Sequence, residues 1–348
     1  MQITRITSLY NRFRRRFFSN VHFARISLLL ISLVVILLGW FILRQPTSRF
    51  LDNLQLLTGK PLPQTLGRTN LVLLGIGGQG HTGPNLADTI IFISIKLDTG
   101  QATLISIPRD LWVTSLRAKI NTSYYYGFEK QATSGGLLLA KSAISESLGQ
   151  PIHFAMVVDF SAFVRAIDIL GGVDINIDRS FTDSLYPIPG KEEDPCNGDI
   201  ETKCRYETVS FTAGPQHLDG NLALKYARSR HSADFEEGTD FARSVRQEKI
   251  LSAVRSKLFS ITNLKNSQIY RDLYILARES VITDISPEYY STFFQLGLKM
   301  KKYPFIPKSI EDYLENPPVS SEYDMQWVLI PKGNNSRSLF DYISQLLD

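Results

Sequence analysis

Residues 26–43 read ISLLLISLVVILLGWFIL, a run of 18 residues with no charge and no proline. At 1.5 Å per residue a helix of that length spans about 27 Å, close to the hydrocarbon thickness of a bilayer. The apolar core of a secretory leader is shorter, ~7–15 residues, and runs into small residues at a cleavage site. Here Arg44, Gln45 and Pro46 follow instead. A helix buried in a soluble protein would show a polar side. The run is therefore expected to be one transmembrane helix. Arg5, Arg12, Arg14, Arg15, Arg16 and Arg25 precede it with no acid among them. The excess of positive charge predicts a cytoplasmic tail at 1–25 and places everything after the span outside the cytoplasm.

This asymmetry changes the meaning of the overall charge. The 348 residues carry 38 basic and 34 acidic side chains, a formal +4. A basic chain invites a nucleic-acid reading. However, seven arginines and no acid fall within residues 1–44, which leaves 31 bases against 34 acids in the rest. The basic character is a topology signal, and no nucleic-acid partner is expected. The 43% hydrophobic and 21% charged content excludes a disordered or collagen-like chain.

Residues 44–68, with prolines at 46, 62 and 64, read as a linker. Beyond it, LVLLGIG at 71–77 is a continuous apolar run of the kind found in a strand covered on both faces. TIIFISIKL at 89–97 and ATLISI at 102–107 form a strand pair joined by Asp98, Thr99 and Gly100, a short-hairpin signal. A helix is expected over 137–148, stopped by Gly149. A strand follows at 154–160, then a helix AFVRAIDIL capped by Ser161, then an alternating half-exposed strand at 173–177. Within 240–260, Arg243, Gln247, Ile250, Val254 and Leu258 fall on one helical face, polar at its start and aliphatic beyond. A strand is read at 325–331 and a terminal helix at 338–347. Strands alternating with helices predict the α/β class with a central mixed sheet.

Two cysteines, Cys196 and Cys204, are the only ones present. In an oxidising compartment they could close a short loop worth about 2–3 kcal/mol. Two free thiols are the alternative; a four-ligand metal site is disfavoured because no histidine lies beside them. GIGGQGHTG at 75–83 has a superficial likeness to a dinucleotide loop, but Pro84 stands where the helix should begin. The stronger feature is arginine recurring beside carboxylates at segment ends: Arg109 and Asp110 in SIPRDLWV, Arg228 and Arg230 in KYARSRH, Arg243 and Arg246 in DFARSVRQ, next to Gln247. If these guanidiniums converge they make a diphosphate site, because each offers a planar fork that does not deprotonate. The alternative is that they are solvated or paired with the acids at 234, 236, 237 and 240.

NLVLLGIGG, DTIIFISI, ATLISIPRDLWV, KIN with the following YYYG, VVDFSAFVRAIDILGGVDI, LDGNLALKYARSRH and DFARSVRQEKIL occur in that order over about residues 68–260. Together they resemble the LytR–CpsA–Psr family of cell-envelope proteins. The resemblance implies a three-layer α/β/α sandwich with a central mixed sheet, preceded by the one N-terminal transmembrane helix. It divides the chain into a cytoplasmic tail (1–25), the span (26–43), the linker (44–68), the catalytic domain (69–262) and a C-terminal extension (263–348). It also implies a phosphotransferase that moves a glycopolymer from a polyprenyl-diphosphate carrier to peptidoglycan, with the lipid tail in an apolar tunnel beside the sheet.

By motif, Arg109, Arg228, Arg230, Arg243 and Gln247 correspond to the diphosphate-binding set. Asp88 corresponds to a carboxylate associated with Mg2+ (or Mn2+), and Asp88, Arg109, Arg228 and Arg230 to the catalytic group. Asp110 corresponds to a structural acid, and Lys119 and Asn121 to the KIN motif. Two departures stand out: Leu86 where many members carry arginine, and Gly77 where many carry aspartate. A polyprenyl-diphosphate pyrophosphatase and a non-catalytic polyprenyl-lipid binder remain as alternatives.

Overall fold

The computed structural model describes residues 59–348 apart from Thr133 and Phe235, so the basic tail, the apolar run at 26–43 and the first part of the linker lie outside the described residues. Leu62 is already buried in a core cluster, and strand β1 (Arg68–Ile76) begins at the last linker residue. Among the described residues, no helix is long and apolar enough to cross a membrane.

The polar start of β1 is as buried as its apolar middle. Arg68 is 6% exposed. Its Nε donates to Ser94 Oγ at 2.8 Å, and its Nη2 to the Ser94 carbonyl at 3.1 Å and Thr103 Oγ1 at 3.3 Å. Ser94 Oγ donates onward to Asn70 Oδ1 at 2.7 Å, and Asn70 Nδ2 to the Pro151 carbonyl at 2.8 Å. Burial holds the Arg68 guanidinium below its ordinary pKa, and the charge of Asp98 opposes that only in part. Such a network is tolerable in a core because its members satisfy one another.

β1 pairs antiparallel with β2 (Ala87–Lys96), and β2 with β3 (Ala102–Ser106). The turn is the one expected: Gly100 adopts φ +79°, and its N–H donates to the Lys96 carbonyl at 2.8 Å. A small ribbon of β4 (Trp112–Val113) and β5 (Ala118–Lys119) leads into helices α1 (Ser123–Lys130) and α2 (Gly135–Leu148). Gly149 closes α2 with φ +64°, the left-handed cap read from the sequence. β6 (Phe154–Asp159) then runs parallel to β1 and feeds α3 (Phe160–Ile169). The cap of α3 is Asp159 rather than Ser161. Asp159 Oδ1 accepts from the Ala162 N–H at 2.7 Å, and Ser161, inside the first turn, donates its hydroxyl to the same oxygen.

Next come β7 (Val173–Ile177), β8 (Phe181–Pro187), β9 (Tyr206–Phe211) and β10 (Gly214–Leu218). They pair as two separate ribbons, β7 with β10 and β8 with β9, outside the central sheet. Cys196 and Cys204 are disulfide-bonded in the connection between β8 and β9. Helices α4 (Gly220–Arg228), α5 (Asp240–Leu258), α6 (Ile261–Leu264) and α7 (Ser267–Ser280) follow. The last elements are β11 (Val281–Thr283), α8 (Tyr290–Met300), β12 (Ile306–Lys308), β13 (Leu314–Glu315), β14 (Ile330–Pro331) and α9 (Arg337–Leu347). Of the strand read over 325–331 only β14 exists. Asp324 and Met325 both take positive φ, 48° and 58°, which turns the backbone out of the extended state.

The central sheet is mixed and six-stranded, in the order β11-β6-β1-β2-β3-β12. On one face Val72, Leu74, Phe92 and Val157 pack against Tyr124 of α1, Ile144 of α2 and Ile343 of α9. On the other, Ile91, Ile95, Leu104 and Phe154 pack against Leu296 of α8, with Leu251 of α5 alongside. A third cluster joins the two ribbons to α3, α4 and α5 through Phe181, Phe211, Leu218, Tyr226 and Ile250. The result is a mixed α/β fold whose central sheet carries helices on both faces.

Candidate functional site

The β2–β3 hairpin brings the first two site residues together. The Ile107 N–H donates to the Ile90 carbonyl at 2.9 Å and carries the pairing one step past β3. Pro108, with no N–H, ends it. Arg109 then reaches back across the hairpin, and its Nη1 donates to Asp88 Oδ1 at 2.8 Å. The KIN motif supports this bend. Lys119 Nζ holds Asp110 Oδ1 at 2.6 Å, and the Asn121 N–H donates to the Arg109 carbonyl at 3.2 Å. Arg109 Nε is buried 3.5 Å from Asp110 Oδ2 without forming a hydrogen bond. Burial disfavours the Arg109 cation, but Asp88, Asp110 and Asp240 together outweigh it, and the pKa ends up raised.

α5 supplies the next pair. Thr239 caps it by accepting the Ala242 N–H at 3.1 Å. The face predicted from spacing is the one turned inward: Arg243 is 11% exposed, Gln247 and Ile250 are buried, and Val254 packs in the third cluster. Arg243 Nη1 lies 2.9 Å from Asp240 Oδ1. Gln247 Nε2 donates to Thr89 Oγ1 at 3.0 Å, which ties α5 to β2 beside Asp88.

Asp88, Arg109, Arg243 and Gln247 line one cavity of about 480 Å3, with Asp240 among them. The rest of its wall mixes apolar residues, among them Ile90, Ile107, Val245, Leu314, Trp327 and Leu329, with polar ones that include Asp110, Glu248, Lys308 and Glu311. The combination of charge-paired arginines and an aliphatic and aromatic wall suits a ligand with an anionic head and a hydrocarbon tail.

Arg230 shares the electrostatics of this site but is not part of the cavity wall. Among the described residues its guanidinium forms no hydrogen bond or ion pair. The Arg243 pKa is lowered first by burial and then by the charges of Arg109 and Arg230. The pKa of His231 is lowered by burial and then by Arg230, with Arg109 adding to the effect. Arg228 also stands off the cavity wall. Its guanidinium lies 4.1 Å from the Phe160 ring centre and 5.6 Å from that of Tyr186, and its Nη1 donates to Tyr186 Oη at 3.3 Å. The turn between these arginines is fixed by buried Asp183, whose Oδ2 accepts the N–H of Arg230 at 3.0 Å and of His231 at 3.3 Å. Arg246 is structural: it is buried, paired with Glu237 at 2.7 Å, and donates to the Tyr226 carbonyl at 3.1 Å.

Pairing with local acids is therefore partly realised. Arg243 pairs with Asp240 and Arg246 with Glu237, while Asp234 and Glu236 are taken by Arg179. Thr89, Asp183, Tyr186 and Phe160 are not legible as site residues in the sequence, because each acts through a contact distant in sequence. Only Asp240, three residues before Arg243 at a helix start, carried a local signal.

The two departures from the family pattern have a steric counterpart. A Cβ on Gly77 already meets His81 Cβ at 2.9 Å, so a larger residue there requires the 77–83 loop to move. Leu86 packs on Gly83, where a Cβ would lie 2.7 Å from Leu86 Cδ1. Asp88, 42% exposed with one oxygen engaged by Arg109, is open to a cation, and Asp240, 56% exposed with one oxygen engaged by Arg243, stands at the same cavity. Among the described residues the single close cluster of three metal-type ligands is Asp194 with Cys196 and Cys204, and those cysteines are bonded to each other. One or two such carboxylates fit Mg2+, which commonly completes its shell with phosphate oxygens and water.

Glu248 also lines the cavity; burial raises its pKa from 4.5 to about 7. Its folded pKa exceeds its unfolded one, so its contribution to stability is full below about pH 4.5 and is lost as the pH rises through about 7. Glu248→Gln is expected to flatten the fall in Tm across that window and to leave the variant the more stable of the two at pH 8. Melting curves of both proteins at stepped pH test this; parallel curves would refute it.

The profile of the LytR_cpsA_psr family matches residues 51–309. A polyisoprenyl-teichoic acid–peptidoglycan teichoic acid transferase TagU of Enterococcus faecalis is 24% identical over 223 residues, 62% of this chain and 61% of the relative. The chain thus spans about three fifths of the length of that curated relative. Among solved structures, TagV of Bacillus subtilis superposes with a TM-score of 0.57 at 22% identity, over 82% of this chain and 99% of that one. The structure of TagT bound to LI-WTA gives 0.53 at 19% identity, over 82% and 92%. At such identities the likeness concerns the fold alone.

Proposed function

The chain belongs to the LytR_cpsA_psr family, and from that premise we propose that it is a membrane-anchored phosphotransferase that moves a glycopolymer from a polyprenyl-diphosphate carrier to peptidoglycan. The observation that carries this reading is the single cavity in which Asp88, Arg109, Arg243 and Gln247 share a wall with Ile90, Ile107, Trp327 and Leu329. A diphosphate competes with Asp88 and Asp240 for the guanidiniums of Arg109 and Arg243, and Arg109 Nε gains the partner it lacks. The polyprenyl chain occupies the apolar wall. Arg230 and Arg228 bind further anionic or polar groups of the glycan-linked phosphate.

In the reaction, an acceptor hydroxyl oxygen bonds to the phosphorus of the glycan-linked phosphate. The bond from that phosphorus to the bridging oxygen breaks, and polyprenyl phosphate leaves with the bonding pair while the hydroxyl proton passes to a cavity carboxylate such as Asp88. Phosphoryl transfer needs little from a protein beyond position and positive charge. Preorganised guanidiniums meet that need and cost no reorganisation at the moment of transfer. Asp88, with the diphosphate oxygens, would hold Mg2+ or Mn2+, which supplies further charge neutralisation when bound. Asp183, Tyr186 and Thr89 keep the arginines and Gln247 in place.

The same proposal extends to the N-terminal segment. Residues 26–43 form one transmembrane helix, the tail at 1–25 stays in the cytoplasm and the catalytic domain works outside. The arginine-rich, acid-free flank supports that orientation.

The test uses the full chain with labelled polyprenyl-diphosphate glycan. Label is expected to enter insoluble peptidoglycan only when peptidoglycan and a divalent cation are both present, and to stop on chelation. Release of label at the same rate without peptidoglycan would identify a hydrolase instead. Tight lipid retention without turnover would identify a binding protein.

A further inference from the structure

Among the described residues, helix α8 presents an apolar stripe that the fold leaves uncovered. Tyr290, Phe294 and Leu298 recur every fourth residue and are 40–46% exposed, whereas Leu296 and Gly297 face inward. Phe294 contacts Tyr270 of α7 with ring centres 6.1 Å apart. One turn further along α7, Tyr274 is 49% exposed. The stripe runs into Lys299, Lys301, Lys302 and Tyr303, and residues 289–310 hold four lysines and no acid. Aromatic rings beside lysines, on a helix apolar on its outer side, form the pattern of an element lying in a membrane interface.

We infer that this α7–α8 face rests on the surface of an anionic bilayer. The inference depends on the membrane-anchored reading above. Three observations select a bilayer as the occupant. The charge is complementary along α8 and the turn after it, since basic side chains near a surface are drawn to anionic headgroups and their stems and aromatic neighbours tolerate the interface, while α7 is balanced, Arg271 and Arg278 against Asp272 and Glu279. The tether is short: the apolar run ends at residue 43, and the compact unit begins at Pro61. At 3.3–3.6 Å per residue the intervening chain spans no more than about 60 Å. The unit's first buried residue, Leu62, shares a core cluster with Leu296 of α8. The face also adjoins the candidate site. Beyond Tyr303 the chain reaches Phe305 and Pro307, and Pro307 and Lys308 line the 480 Å3 cavity. Docking in this orientation would set the cavity wall beside the leaflet that supplies a lipid-linked substrate.

Both native cysteines are disulfide-bonded, so Phe294→Cys provides a single thiol for a fluorescent label on the full chain. Leu138→Cys on α2, 66% exposed and on the opposite side of the central sheet, is the control. In vesicles of phosphatidylglycerol and phosphatidylcholine, a lipid-borne quencher is expected to reach position 294 and not position 138. Lys301→Gln with Lys302→Gln is expected to weaken docking roughly 10–30-fold, and high salt to act in the same direction. Equal quenching at the two positions would overturn the inference, as would protection of position 294 in detergent, which would mean that a second copy covers the face. Retention of the chain on vesicles after alkaline carbonate washing reads the anchoring separately. Loss at that step sinks the premise, while retention with equal quenching sinks only the docking.

Discussion

Arg109→Ala is expected to lower glycopolymer transfer by about 10²–10³-fold, the usual effect of deleting one preorganised charge donor. Arg109 is the most connected of the candidate arginines. It holds Asp88 at 2.8 Å, its backbone is fixed from Asn121, and it lies within the field that perturbs Arg243 and His231. Its loss removes a guanidinium from the diphosphate and leaves Asp88 without a counter-charge at the same wall. The deficit should fall mainly on kcat, because charge builds on the phosphoryl oxygens as the bond breaks. Arg109→Lys restores the charge without the planar fork and should recover only part of the activity. Transfer assays beside melting curves separate chemistry from folding, since the residue lies in a loop after β3. Near-normal transfer by the alanine variant would remove Arg109 from the mechanism.

Arg68→Ala is expected to cost on the order of 3 kcal/mol of stability, because it opens a cavity and strips buried acceptors of their donor. The Ser94 carbonyl and Thr103 Oγ1 would both lose the guanidinium, at a point where β1, β2 and β3 are tied side by side. For a domain of this size the midpoint should drop by roughly 6–12 °C. Arg68→Met fills the volume without donating, so comparing the two variants in denaturant separates the cavity from the unmet acceptors. An alanine variant as stable as the parent would show that water replaces the side chain without cost.

The contrast between these two arginines shows how far the sequence could be read. Arg109 follows a buried strand and precedes an acid, a local arrangement that marks it without knowledge of the fold. Arg68 sits at the end of a proline-containing stretch and looks like linker, because its partners are 26 and 35 residues away. The β2–β3 hairpin and the α5 face were legible for the same reason as Arg109: turn chemistry at Gly100 and a helical period from Arg243 to Leu258 are encoded within a few residues. The cap at Asp159 was missed by two positions, since Ser161 is an equally good capping residue by type and geometry alone decides between them. Arg228 could be nominated, but its seat between Phe160 and Tyr186 depends on side chains 68 and 42 positions upstream. β11 and β12 are three residues each, too short to show a period, and Pro307 would count against a strand anywhere except at an edge.

The outermost strands of the central sheet, β11 and β12, are its last to be made. Synthesis runs from the N-terminus, so β6 must wait for residue 281 and β3 for residue 306 before their open sides are closed. Until then the nascent polypeptide carries bare ladders that another copy could join. The sheet is thus complete only once residues 281–308 have been made, and a chain broken off near residue 280 would carry two adhesive edges.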